Sequence, residues 1–188
     1  INAIVDVTNY VMLELGQPLH AYDADALETK GSITFTVRAA KAGETIELLD
    51  GSTRNLQPGD VIITDGTGNI VDLCGIMGGK SSAITTSTKR VLLEAAHFEP
   101  GQIRRTSRRL GLRSEASSRF EKGVDSENTV TALKRATELY RLIGVAEVAS
   151  HISDDRAHQH RSETPPIELD FAHLQDVLGV RIPPHEAK

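Results

Sequence analysis

Three segments of this 188-residue chain pair a reactive residue type with surroundings that sharpen its chemistry. His20 follows Gln17-Pro18-Leu19, so an imidazole stands in a proline-containing stretch among apolar neighbours, where a neutral ring can orient a water or a substrate hydroxyl. Cys74-Gly75-Ile76-Met77-Gly78-Gly79 is glycine-dense, and bare backbone admits an approach that side chains block. Glu94 ends the apolar run Val91-Leu92-Leu93 and precedes Ala95-Ala96. A carboxylate so placed is desolvated and needs a cation or a hydrogen-bond donor. Each taken singly also has a purely structural reading: a capped loop histidine, a hinge, a salt bridge to an arginine.

Other chemistries lack their residues. The chain has no Gly-x-x-x-x-Gly-Lys loop, no Gly-x-Gly-x-x-Gly, no His-Glu-x-x-His and no Gly-x-Ser-x-Gly, which leaves ATP, NAD, zinc-protease and serine-hydrolase readings unsupported. Of its seven histidines only His158 and His160 are closely spaced, in a polar tract that reads as solvated. One cysteine, Cys74, excludes an internal disulfide framework and a four-thiolate zinc site, and it fits a reducing, cytoplasmic compartment. The composition, 39% hydrophobic and 25% charged, is that of an ordinary folded domain, and no apolar run approaches the roughly 20 residues of a membrane span. The net charge of −5 hides an asymmetry: seven cations and two anions between Pro100 and Gly123 give a local +5. Arg104, Arg105, Arg108 and Arg109 within this island are candidate phosphate contacts, with pairing to nearby carboxylates as the competing use.

Elements that position these residues follow from the periodicity. Apolar residues at helical spacing predict a helix over 2–15, stopped by Gly16 and Pro18. Residues 16–23 read as a turn-rich segment that presents His20. From Ser32 to Leu73 the period becomes two, with Asp50-Gly51, Pro58-Gly59 and Asp65-Gly66 between short strands, and Val91–Ala95 adds a buried strand. Pro100 opens a helix that runs to Leu110 with Gly111 as its stop, and a second long helix is predicted from about Asp125, capped by Asp125 or Ser126, to Ile143. Val145–Ile152 reads as a last strand. The fold class is therefore α+β, with a central, mostly antiparallel or mixed sheet flanked by helices. Residues 1–160 form one domain, 161–166 a linker around Pro165-Pro166, and 167–188 the strand and helix that start a further, truncated unit; the chain is expected to be a piece of something longer.

Four blocks of sequence, in order, are specific. Asn9-Tyr10-Val11-Met12-Leu13-Glu14-Leu15-Gly16-Gln17-Pro18-Leu19-His20-Ala21-Tyr22-Asp23, then Gly75–Gly79, then Leu92-Leu93-Glu94-Ala95-Ala96-His97-Phe98, then Arg108–Asp125 resemble the editing module of the bacterial phenylalanyl-tRNA synthetase beta subunit over residues 1–160. That resemblance implies a hydrolase that removes tyrosine wrongly esterified to tRNA(Phe), as part of a heterotetramer whose alpha subunit performs ligation. It implies His20 and Glu94 as the catalytic pair, with His20 placing the terminal adenosine and a water. It further implies Thr8, Asn9, Gly75, Gly78, Ser114 and Ala116 as substrate-binding positions beside Glu94, with Ser114 where many relatives have threonine. No metal or cofactor is expected for this segment, ATP and magnesium serving only the whole synthetase. A non-catalytic RNA-binding or subunit-packing module is the alternative.

Overall fold

The computed structural model describes residues 2–148, 152–155 and 168–186. Helix α1 spans Ala3–Leu15; the Asn2 side chain accepts from the Val5 N–H at 3.0 Å, and Gly16, at φ +74°, ends the helix by donating to the Met12 carbonyl. The segment read as turn-rich is instead strand β1, Leu19–Asp23, followed by the short helix α2, Ala24–Leu27. The alternation Leu19/Ala21 against His20/Tyr22 is what the strand uses, and pairing with a distant partner decides the matter over local turn signals. That partner is β8, Val91–Ala95, antiparallel, with His20 directly opposite Glu94 and Tyr22 opposite Leu92.

Between them lie β2 (Thr36–Ala39), β3 (Thr45–Glu47), β4 (Thr53–Asn55), β5 (Val61–Thr64), β6 (Ile70–Leu73) and β7 (Met77–Gly78). The chain is α+β with antiparallel pairing, but its strands are divided among three sheets: the β1–β8 ribbon, a four-stranded sheet ordered β2-β5-β6-β7, and the β3–β4 hairpin. The glycine stretch thus contains a strand, since Met77 and Gly78 pair with Leu73 and Asp72.

Helices α3 (Pro100–Leu110), α4 (Glu115–Phe120) and α5 (Asn128–Leu142) complete this part. Gly111 takes φ +66° as the stop of α3. The start predicted at Asp125 is displaced to Asn128, because Asp125 closes a turn first, its carboxylate accepting from the Glu127 N–H and its carbonyl from the Asn128 N–H. Among the described residues no strand follows α5: Gly144, at φ +69°, turns the chain, and 145–148 and 152 pair with no edge, while residues 149–151 of the expected strand lie outside the described residues.

The ribbon is buried on two faces. Leu19 and Leu93 pack with Val7 and Val11 of α1 and Ala132 and Ala136 of α5. On the opposite face Tyr22 and Leu92 pack with Ile63 and Val71 of the four-stranded sheet. A third cluster joins Leu48, Ile62 and Leu73 to Ile103 of α3 and Phe120 of α4. Burying several such side chains supplies about 1.5–3 kcal/mol each.

Compactness divides the chain into 1–149 and 150–188. In the second unit the helix expected within 167–188 is α6 (Phe171–Leu178), capped by Asp170 and ended by Gly179, but residues 168–170 form no strand. The linker 161–166 and the pair His158 and His160 lie outside the described residues.

Candidate functional site

The two inward faces, ribbon and four-stranded sheet, meet over a cleft of about 70 Å³. His20 and Glu94 enter it from the ribbon, Asp72 from β6, Gly75 and Gly78 from the loop and strand after β6, and Ala116 from α4. Ile76, Phe98 and Phe120 make its walls apolar, the two phenylalanine rings meeting edge to face at 5.0 Å between centroids. Behind it Gln17, fully buried, donates from Nε2 to the Ala96 carbonyl at 2.9 Å and the Pro18 carbonyl at 3.1 Å, which ties the start of β1 to the end of β8.

Glycine is required at two of these positions for different reasons. A Cβ on Gly78 would stand 2.5 Å from the His20 ring, so the imidazole occupies the space the missing side chain leaves. Gly75 takes φ +66°, and its Cβ would meet Phe98, Phe120 and Ile103 at 2.9–3.1 Å. Both line the cleft, but the close approach they permit is first of all that of the protein's own rings.

The polar groups are few and crowded. Tyr22, fully buried, points its hydroxyl between two carboxyl groups, 3.2 Å from Asp72 Oδ2 and closer still to Glu94 Oε2. Burial pushes both acids up from the ordinary carboxylate range to about 7; for Glu94 the neighbouring Asp72 adds to the rise. Burial also raises the Tyr22 phenol far above its usual value. His20 is shifted down by burial, with Glu94 opposing, so the ring is neutral near pH 7. Its Nε2 lies 3.8 Å from Asp72 Oδ2, has no hydrogen-bond partner among the described residues, and belongs to a side chain 26% exposed.

Ser114 lies outside the cleft lining and caps α4; its Oγ accepts from the Ser117 N–H and donates to the Ile76 carbonyl at 2.7 Å, fixing the helix that carries Ala116 to the wall. Thr8 and Asn9 do not reach the cleft lining. Thr8 is buried in α1 with its hydroxyl donating to the Val5 carbonyl, and Asn9 is exposed on the same helix.

The basic island divides. Arg109 is committed inward to Asp60, which also accepts from Thr106 Oγ1 at 2.7 Å and from the Gln57 N–H at 2.8 Å; burial alone would raise that carboxyl, and these donors hold it below its usual value. Arg105 stands 3.9 Å from Glu99, a loose surface pair. Arg104 and Arg108 are exposed and make no ion pair among the described residues.

Tyr22 and Asp72 are the site residues that sequence reasoning misses. Asp72 interrupts the apolar strand Ile70-Val71-Asp72-Leu73, the same sign that marks Glu94. Among the described residues no group of three or more His, Cys, Asp or Glu side chains is arranged to hold a metal ion. What remains is a small, largely apolar cleft lined by two carboxyl groups, a neutral imidazole and the glycine turn.

Residues 1–144 match the B3/4 domain family. The whole chain is 46% identical over 189 residues to the phenylalanine–tRNA ligase beta subunit of Solibacter usitatus, of which it covers 24%. It is 44% identical over 187 residues to the protein of that name from Dehalococcoides mccartyi, covering 22% of it. Over 154 residues, 82% of the chain, it is 50% identical to that of Geobacter metallireducens, covering 19%. The chain thus spans less than a quarter of the length of these relatives.

Proposed function

The chain belongs to the B3/4 domain family, and on that premise we propose that its cleft is a hydrolytic editing site that removes tyrosine esterified to tRNA(Phe). The observation that carries this reading is Glu94, a carboxylate in an otherwise apolar slot, set directly across the ribbon from a neutral His20. Tyrosine is phenylalanine plus one hydroxyl, and a pocket built for the smaller ring rejects such an isostere by only ~10²-fold. A second site must prefer the larger one. The phenol of tyrosine gives Glu94 a donor, whereas a phenylalanine ring leaves the carboxylate with one partner fewer, a difference of about 1–3 kcal/mol.

Tyr22 donates to Oε2 of Glu94, which leaves Oε1 for the substrate phenol. Ala116 is the small residue in the wall of the slot, and His20, its ring neutral, orients the water against the ester. The ester is activated already, so proximity and orientation are sufficient and no cofactor is called for here. ATP and magnesium serve ligation by the whole synthetase, together with the alpha subunit. Arg104, Arg105 and Arg108 are the phosphate-facing cations of the tRNA approach, Arg109 being engaged with Asp60.

Incubating tyrosyl-tRNA(Phe) with the intact ligase, and with the ligase carrying Ala116→Phe, tests the reading. Wild type clears the ester and the filled cleft lets clearance fall to the uncatalysed background. Equal clearance by both places the activity elsewhere. A wild-type ligase that binds the tRNA with steep salt dependence yet never clears the ester supports the binding-only alternative.

A further inference from the structure

Tyr22 has one hydroxyl proton and two carboxyl oxygens against it, Asp72 Oδ2 and Glu94 Oε2. A phenol donates once and accepts with its lone pairs, so both contacts are hydrogen bonds only if one acid keeps a proton and donates it to the Tyr22 oxygen. The surroundings require the same count. The groups facing the pair are His20 and Tyr22 from β1, Cys74 from the loop after β6, and the two acids themselves; no lysine or arginine lines the cleft. Two bare carboxylates around one neutral oxygen, with no cation, repel each other and hold a shared proton as a pair.

Which acid keeps the proton follows from the difference in their exposure. Asp72 is the more buried, its side chain 8% exposed, whereas Glu94 is half-buried at the cleft edge, and the drier site penalises the anion more.

We infer that Asp72 holds this proton and donates it to Tyr22, which donates in turn to Glu94, so that Asp72 is the positioning residue that keeps Glu94 an ionised acceptor and thereby sets tyrosine against phenylalanine. This rests on the editing reading for its consequence, and on the geometry alone for the place of the proton. No bond to carbon forms or breaks; one proton is located on Asp72 and one hydrogen-bond direction is fixed. Deprotonating Asp72 sets two anions competing for the Tyr22 proton, and protonating Glu94 turns the acceptor into a donor. The tyrosine preference therefore exists in the pH range where the pair holds a single proton.

Two measurements separate this from the editing reading. In infrared difference spectra of the chain at neutral pH, the protonated-carboxyl C=O stretch is expected in wild type, absent in Asp72→Asn and retained in Glu94→Gln. The stretch surviving in Asp72→Asn and vanishing in Glu94→Gln overturns the assignment, whatever the protein hydrolyses. In the intact ligase, the tyrosyl-to-phenylalanyl deacylation ratio is then followed against pH. Wild type loses its preference at both ends. Asp72→Asn, whose amide N–H replaces the carboxylic O–H but never ionises, is expected to keep the preference on the alkaline side while the acid limb, to which His20 also contributes, stays in place. Asp72→Leu removes the donor and is expected to lower the ratio about tenfold. An alkaline limb that persists in Asp72→Asn overturns the inference. A wild-type ligase that clears no tyrosyl ester overturns the editing reading, and the infrared result still decides Asp72.

Discussion

At the scale of single residues the site depends on space as much as on charge. The His20 ring lies where a Gly78 side chain would be, at 2.5 Å from an ideal Cβ, so Gly78→Ala displaces the imidazole. A displacement of about 1 Å in a positioning group costs about 10²-fold in rate. Single-turnover deacylation of tyrosyl-tRNA(Phe) by the Gly78→Ala ligase is expected to fall by that order; an unchanged rate removes His20 from the chemistry. The sequence makes Glu94 legible because an acid at the end of Val91-Leu92-Leu93 is anomalous in any fold. Asp72 carries the same anomaly within Ile70–Leu73 but is legible only when strand β6 is read as buried on both faces. Tyr22 gives no local sign, since its role depends on a residue 50 positions away.

At the scale of elements, the capped helices α1 and α3 announce themselves, whereas the short helices α2 and α4 and the strand partners do not. Pro100 and Gly111 bracket α3, and Asn2 and Gly16 bracket α1, because caps are local chemistry. The ribbon that carries His20 and Glu94 joins residues 68 to 76 positions apart, and its register is written in no local pattern. Arg109 shows the same limit: a cation on an exposed-looking helix is in fact the anchor of α3 to Asp60. Arg109→Ala leaves that buried carboxylate without its cation, and with the Arg109 side chain 31% exposed the loss is expected to be about 2 kcal/mol, read as a lowered denaturant midpoint. Arg104→Ala with Arg108→Ala is expected to leave the midpoint alone and reduce the slope of log K for tRNA against log salt by about 2. A reversed pattern, with Arg109 changing the salt slope and the exposed pair changing stability, contradicts the division of the island.

For the whole molecule, composition and period suffice for the α+β class, but the split into three sheets, and the cleft that the split creates, come from tertiary pairing. That cleft stores acid against water, which shows in global stability. Burial raises the coupled pair of Asp72 and Glu94 to about 7 in the folded state, so the pair holds a proton that the unfolded chain has already released, and between the ordinary carboxylate range and about 7 stability falls as pH rises. His20, shifted the other way, contributes stability that is present above its unfolded pKa and lost as pH falls, and it offsets part of this slope. Comparing denaturant midpoints of the chain at about pH 5 and about pH 8, wild type is expected to lose on the order of 1–2 kcal/mol more than Asp72→Asn, in which one of the two acids no longer titrates. Equal losses place the two carboxyl groups in solvent.

The most direct measurement is the ratio of single-turnover deacylation rates on tyrosyl- and phenylalanyl-tRNA(Phe) for the intact ligase with Glu94 and with Glu94→Ala. A ratio that strongly favours tyrosine in wild type and drops by at least about tenfold in the variant is the predicted result. A variant that clears tyrosyl-tRNA(Phe) at the wild-type rate and with the wild-type preference contradicts the account.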